Sequence, residues 1–280
     1  MTEPAKHIPV DYDDGKHLYS LQGMRYTSAS QLVEKFGNHF DADTVAIGYA
    51  AKHGMTPEYW KDKWATKNEK SKIRGNNIHD QQELILKTRM LDIYDDRQVP
   101  VHDGLIQETD PWYNRPDGVY TEAKLWHHGY RLAGRSDKVI LLTHYPVEFA
   151  NPSETIQRYA HVEDYKTNES LNFESYQYPN GSRKMMKPPI AHIQDCNWQH
   201  YCLQLSIYML MLEYQGFLPG KMSITHFPHP TSDNPIPKLV KYPVPYLKKE
   251  VVTMASFNLR SYATANNNRM QQTLSTGGGR

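Results

Sequence analysis

Acids, an imidazole and a lysine at a few positions carry the chemistry this chain can perform. In Asp164-Tyr165-Lys166, an extended chain alternates faces, so Asp164 and Lys166 share one side while Glu163 and Tyr165 point the other way. A carboxylate and an ammonium are presented together. The same acid-x-Lys spacing occurs at Asp14-Gly15-Lys16 and Glu122-Ala123-Lys124. Only the Asp164 instance follows the strand-like Tyr-Ala-His-Val, where a charged pair needs partners or a metal to hold its place. Upstream, Gly134-Arg135-Ser136-Asp137 opens the strand Lys138-Val-Ile-Leu-Leu142, whose apolar far end marks it as central and buried. Neighbouring strands that bring Asp137 to Asp164 create a pair of like charges, costly unless a divalent cation binds between them.

Two helical patterns add polar groups. His79 and Glu83 stand four apart on one helix face, and an imidazole can complete a metal site. Gly75, inside the same helix, costs about 1 kcal/mol relative to Ala and marks a close backbone approach or a bend. Further on, Gln204 and Tyr208 share a face of a helix that is otherwise apolar on nearly all sides. An unpaired buried amide costs about 1–3 kcal/mol, so Gln204 must bond protein or ligand.

These residues must be held by a recognisable order of elements. Region 1–68 reads as mostly helical, with caps at Ser28 or Ser30, at Asp43 and at Thr56-Pro57-Glu58 after a short extended pair. A longer helix is expected over 71–91, then strands over 119–127, 130–133, 136–142 and 159–166, a helix over 197–214, strands near 222–227 and 238–242, and a last helix after Pro245. A flexible tail is expected over 266–280. Between the lysine strand and the next helix, Phe173, Tyr176, Tyr178, the turn Asn180-Gly181, Arg183, Lys184 and Lys187 combine stacking rings with cations. A single-strand channel needs that combination, and such a hairpin would cover the site.

Composition narrows the function classes. The 280 residues hold 32 Lys and Arg against 31 Asp and Glu, so polyanion binding through bulk positive charge is disfavoured and any binding must come from a local groove. Two cysteines exclude a disulfide framework and any four-cysteine site. A polar, acidic N-terminus and apolar runs far short of a membrane span predict a soluble intracellular protein, cytoplasmic or nucleoid-associated.

The ordered set Gly75-x-x-x-His79-x-x-x-Glu83, Gly134-x-x-Asp137, Asp164-Tyr-Lys166-Thr and Gln204-x-x-x-Tyr208 resembles the PD-(D/E)XK nuclease superfamily. More narrowly, it resembles the RecB-like exonuclease branch that includes the mitochondrial genome-maintenance exonuclease and related viral proteins. The match spans about residues 71–215. It implies an α/β (α+β), restriction-endonuclease-like fold, a mixed β-sheet flanked by helices, over 69–265, with the N-terminal helical region as an extension. It also implies His79, Asp137, Asp164 and the carbonyl of Tyr165 as ligands to Mg²⁺ or Mn²⁺. Lys166 would act beside them, Glu83 in support, and Glu122 as a further acid on the preceding strand. Gln204 and Tyr208 would contact the nucleic-acid strand or brace Lys166, and Arg135 would contact it too. The four cysteines that hold an iron–sulfur cluster in several relatives are missing, so no cluster is expected. Helicase motifs are absent as well, so a helicase, polymerase or single-strand-binding protein would be a partner on DNA.

The implied activity is metal-dependent hydrolysis of single-stranded DNA or DNA ends in replication, recombination or repair, and a viral origin would place it in a host cell. The same donors also resemble those of RNA-cleaving, cap-snatching endonucleases. A module that kept the fold for binding or assembly without activity is the third reading.

Overall fold

Residues 5–13, 15–102, 111–144, 157–230, 232, 234 and 236–276 of the protein are described by a computed structural model. Strands β1 (Asp11–Asp13), β2 (Leu18–Leu21) and β3 (Met24–Ser28) form a meander, in which the Gln22-Gly23 turn takes up the positive φ angles that join two strands tightly. Ser28 then caps α1 (Ala29–Phe36). Its side chain accepts from the Gln31 N–H while the Gln31 side chain accepts from the Ser28 N–H. Asp41 caps α2 (Ala42–His53), which ends at the left-handed Gly54, and Thr56 with Pro57 starts α3 (Pro57–Arg89).

Helix α3 is continuous over 33 residues, so the break expected between a helix at Thr56 and another at 71 does not occur. Residues 61–72 contain neither Pro nor Gly and include five Lys, so nothing in them breaks a helix. Region 1–68 holds α1, α2 and the start of α3, but it also contributes three strands, and β3 pairs with the main sheet.

That sheet is mixed. After α3 come β4 (Leu91–Tyr94) and β5 (Arg97–His102), a hairpin the sequence reading did not contain, turned by Asp95 and Asp96 at positive φ. Next are β6 (Gly118–His127), β7 (Leu132–His144) and β8 (Gln157–Lys166). The two strands expected over 130–142 are one, β7. Helix α4 (Asn197–Tyr214), β9 (Leu218–His226), β10 (Val240–Val244) and α5 (Lys248–Thr276) complete the chain. Helical backbone therefore runs past residue 266, where the tail was expected to begin; residues 277–280 lie outside the described residues.

Strand β7 organises everything else. One edge pairs antiparallel with β6, which leads through β5 to β4. The other edge pairs first with β3, parallel at Leu132 and Ala133, and then antiparallel with β8 from Lys138 to His144, followed by β9 and β10. Residues 134–137 lie between those two pairings. The sheet is flanked by helices, five among the described residues, and both faces are buried. Val139 and Leu141 enter the core beneath α4, whereas Ile140 and Leu142 enter a second core with Leu86 of α3. That is why 139–142 of β7 reads as an unbroken apolar run.

Candidate functional site

The stretch of β7 between its two neighbours faces α3. Asp137 Oδ1 lies 3.3 Å from His79 Nδ1, and its Oδ2 accepts the backbone N–H of Tyr165 at 2.7 Å. Glu122 sits opposite Asp137 on β6, where the ladder pairs Thr121 with Lys138 and Ala123 with Ser136 but skips the residue between. Its φ is +48°, in the left-handed region that costs a non-glycine residue roughly 1–3 kcal/mol. The strain falls at the site. One ligand atom each from His79, Glu122 and Asp137 all lie within 4.8 Å of one another, and Arg135 Nε stands 2.7 Å from Glu122.

A second group adjoins the first. Asp164, 2% exposed, forms an ion pair with Lys166. Lys166 Nζ also donates to Gln204 Oε1 at 3.4 Å and stands 4.7 Å above the ring of Tyr201. The Gln204 amide donates to the Tyr208 hydroxyl at 3.0 Å. Tyr208 is buried and packs over Gly134, where a Cβ would come within 2.7 Å of its ring. Of the two roles expected for Gln204 and Tyr208, these contacts serve the bracing of Lys166.

Charge is unevenly distributed. Burial, and then the charge of Asp137, push Asp164 up to about 7 despite Lys166, and the same two causes push Glu122 up to about 7 against the pull of Arg135. Burial acts to raise Asp137 too, but the hydrogen bond and charge of His79, with Lys166 and the Tyr165 N–H, outweigh it and hold Asp137 low. Burial opposes charge on His79 and Lys166 as well. Asp137 outweighs it for the imidazole, and Asp164 with Asp137 for the ammonium, so both are raised and Lys166 is held charged. Three acids here face Lys166, Arg135 and an imidazole, and oxygen and imidazole donors suit a hard divalent cation.

The group opens into a cavity of about 770 Å³ lined by His79, Glu83, Glu122, Arg135, Asp137 and Tyr208 among others. Glu83 is 3.1 Å from Lys87 on its own helix. Tyr165 adjoins the three side-chain donors through its backbone: its N–H donates to Asp137, and its ring sits edge-on to His79.

The hairpin residues fare differently. Tyr176 and Tyr178 are exposed and lie edge to face. Arg183 is engaged by Glu174 and the Ser175 carbonyl, and Lys184 by the buried Asp195. Lys187 donates its backbone N–H to Phe36 while its side chain is exposed. None of these five lines the cavity. Two of the three cations expected on a strand are held by carboxylates of the same segment.

Lys72, Asn76 and Asp80, absent from the sequence reading, do line it. They stand seven and three residues before His79 and one after, so helical spacing from His79 was a usable signal for the first two. The chain matches no family model, and no curated protein matches it.

Proposed function

We propose that the protein is a divalent-metal-dependent nuclease with a restriction-endonuclease-like core of the PD-(D/E)XK type, hydrolysing phosphodiester bonds of DNA single strands or ends. The observation that carries this reading is the convergence of His79, Glu122 and Asp137 beside the Asp164–Lys166 pair, at one place on β7. His79, Glu122, Asp137 and Asp164 would hold Mg²⁺ or Mn²⁺. When bound, such an ion polarises a phosphodiester oxygen and lowers the pKa of water. The Tyr165 N–H fixes the rotation of Asp137, and His79 holds its other oxygen. Lys166, kept charged by Asp164 and aimed by Gln204, orients the attacking water and stabilises charge developing on the phosphate oxygens. Proton removal then falls to a group other than this lysine. DNA is the proposed partner, with unwinding supplied by another protein.

The test incubates the full chain with end-labelled single-stranded and duplex DNA and RNA, in Mg²⁺, Mn²⁺ or chelator. Metal-dependent shortening of DNA, lost in Asp137→Asn, is the expected result. Shortening of RNA alone would move the substrate assignment to RNA, and strand binding with no cleavage of any substrate would contradict the nuclease reading.

A further inference from the structure

Helix α3 continues from the site toward its own N-terminus, and a second cavity of about 420 Å³ lies along it. That groove runs between α3 and the chain after β8, and its walls include Asn68, Ser71, Thr167, Ser170 and Asn197. Lys72 lines both this groove and the site cavity and so joins them. Seven residues separate Lys72 from His79, which returns it to nearly the same helix face roughly 10 Å along the axis.

The charges in the groove sort themselves. Lys67 pairs with Glu169 at 2.5 Å. Lys72 is exposed and has no carboxylate or hydrogen-bond partner among the described residues. The remaining walls are amides and hydroxyls, groups that bond sugar and phosphate oxygens without reading base edges. The helix and the chain after β8 come close at Gly75, where a Cβ would meet Thr167 Oγ1 at 3.4 Å, an ordinary contact.

We infer that Lys72 grips a backbone phosphate of a single DNA strand that leaves the site along this groove, a strand subsite distinct from the 173–187 hairpin. The inference rests on the nuclease reading for its substrate class. Its amide and hydroxyl walls offer contacts to the sugar–phosphate backbone of one strand.

The test measures binding and not cleavage. Anisotropy of a fluorescein-labelled oligothymidylate is titrated with the full chain in chelator, across a salt series. Lys72→Ala should weaken binding about three- to tenfold and flatten the dependence of log affinity on log salt by about 0.7, the share of one single-strand phosphate. Lys72→Arg should retain both, and Lys249→Ala, on α5 and outside both cavities, should change neither. Lys72→Ala binding as tightly as the parent at every salt would overturn the inference, as would a parent chain that binds no strand. An equal loss on duplex of the same length would overturn the single-strand assignment. A chain that binds through Lys72 yet never cleaves would refute the nuclease reading alone, and a nuclease indifferent to Lys72 would refute only this one.

Discussion

In the proposed nuclease, Lys166 serves only if its ammonium points at the reacting phosphate, and Gln204 is the neutral group that bonds and would aim it. Gln204→Leu should therefore lower kcat about tenfold with KM little changed, the effect of losing a positioning partner; a KM effect without a kcat effect would make Gln204 a strand contact. Asp164→Asn removes a carboxylate already pushed up to about 7 by burial and Asp137. It should cut cleavage by about a hundredfold or more, the scale of losing a charged group from a preorganised site, and cleavage at the parent rate would remove Asp164 from the site. His79, Asp137, Asp164 and Lys166 were legible because each carried a motif. Glu122 became a full member of the cluster only through the β6–β7 register that sets it opposite Asp137. Arg183 and Lys184 misled because a sequence displays cations and hides their partners. Asp195 reaches Lys184 only once the segment folds back on itself at the bridge between Met185 and Gln194.

Among elements, β7 bears the greatest constraint, since α4 must approach it closely enough for Tyr208 to lie on Gly134. Gly134→Ala would put a methyl 2.7 Å from the Tyr208 ring. It should destabilise the protein by about 1–3 kcal/mol, the cost of overpacking, and lower cleavage because Asp137 lies three residues on; urea unfolding and the labelled-strand assay check both, and an unchanged midpoint would contradict the packing argument. The buried helix α4 and the apolar half of β7 were readable because they are uniformly apolar and lie between clear breaks. The β4–β5 hairpin was not, because Asp95-Asp96 is a weak turn signal beside Asn-Gly and the strands are short. The unity of α3 was lost for the opposite reason. A cap is strong evidence of a start, whereas nothing in a polar run of Lys, Asn and Ser says that a helix continues.

Across the whole molecule, the sheet separates two polar assemblies that differ in purpose. On β8, Glu163 points away from Asp164 and meets Lys138 at 2.8 Å together with Lys241, while Lys138 also meets Asp92 at 2.6 Å. Burial would raise Glu163, but Lys138 and Lys241 outweigh it and hold the carboxyl below its ordinary 4.5; burial would lower Lys138, but Glu163 and Asp92 outweigh it and hold the ammonium above 10.5. A lowered acid stabilises the fold above its ordinary value and loses that contribution as pH falls through its folded one. A raised base stabilises below its ordinary value and loses it as pH rises. The network should therefore support stability between about 4.5 and 10.5 and weaken it outside. Glu163→Gln should flatten the acid limb of a melting-temperature profile below pH 4.5, and an unaltered limb would contradict this. None of the described helices is long and apolar enough to cross a membrane. The site itself gathers three acids and an imidazole beside Lys166 and Arg135, the donor set on which the proposed metal dependence rests. Its most direct test is calorimetric titration of the full chain with Mn²⁺, beside Asp137→Asn and Glu122→Gln. Binding by the parent that is lost or sharply weakened in both variants is the predicted result; no binding by the parent, or equal binding by all three, would contradict the account.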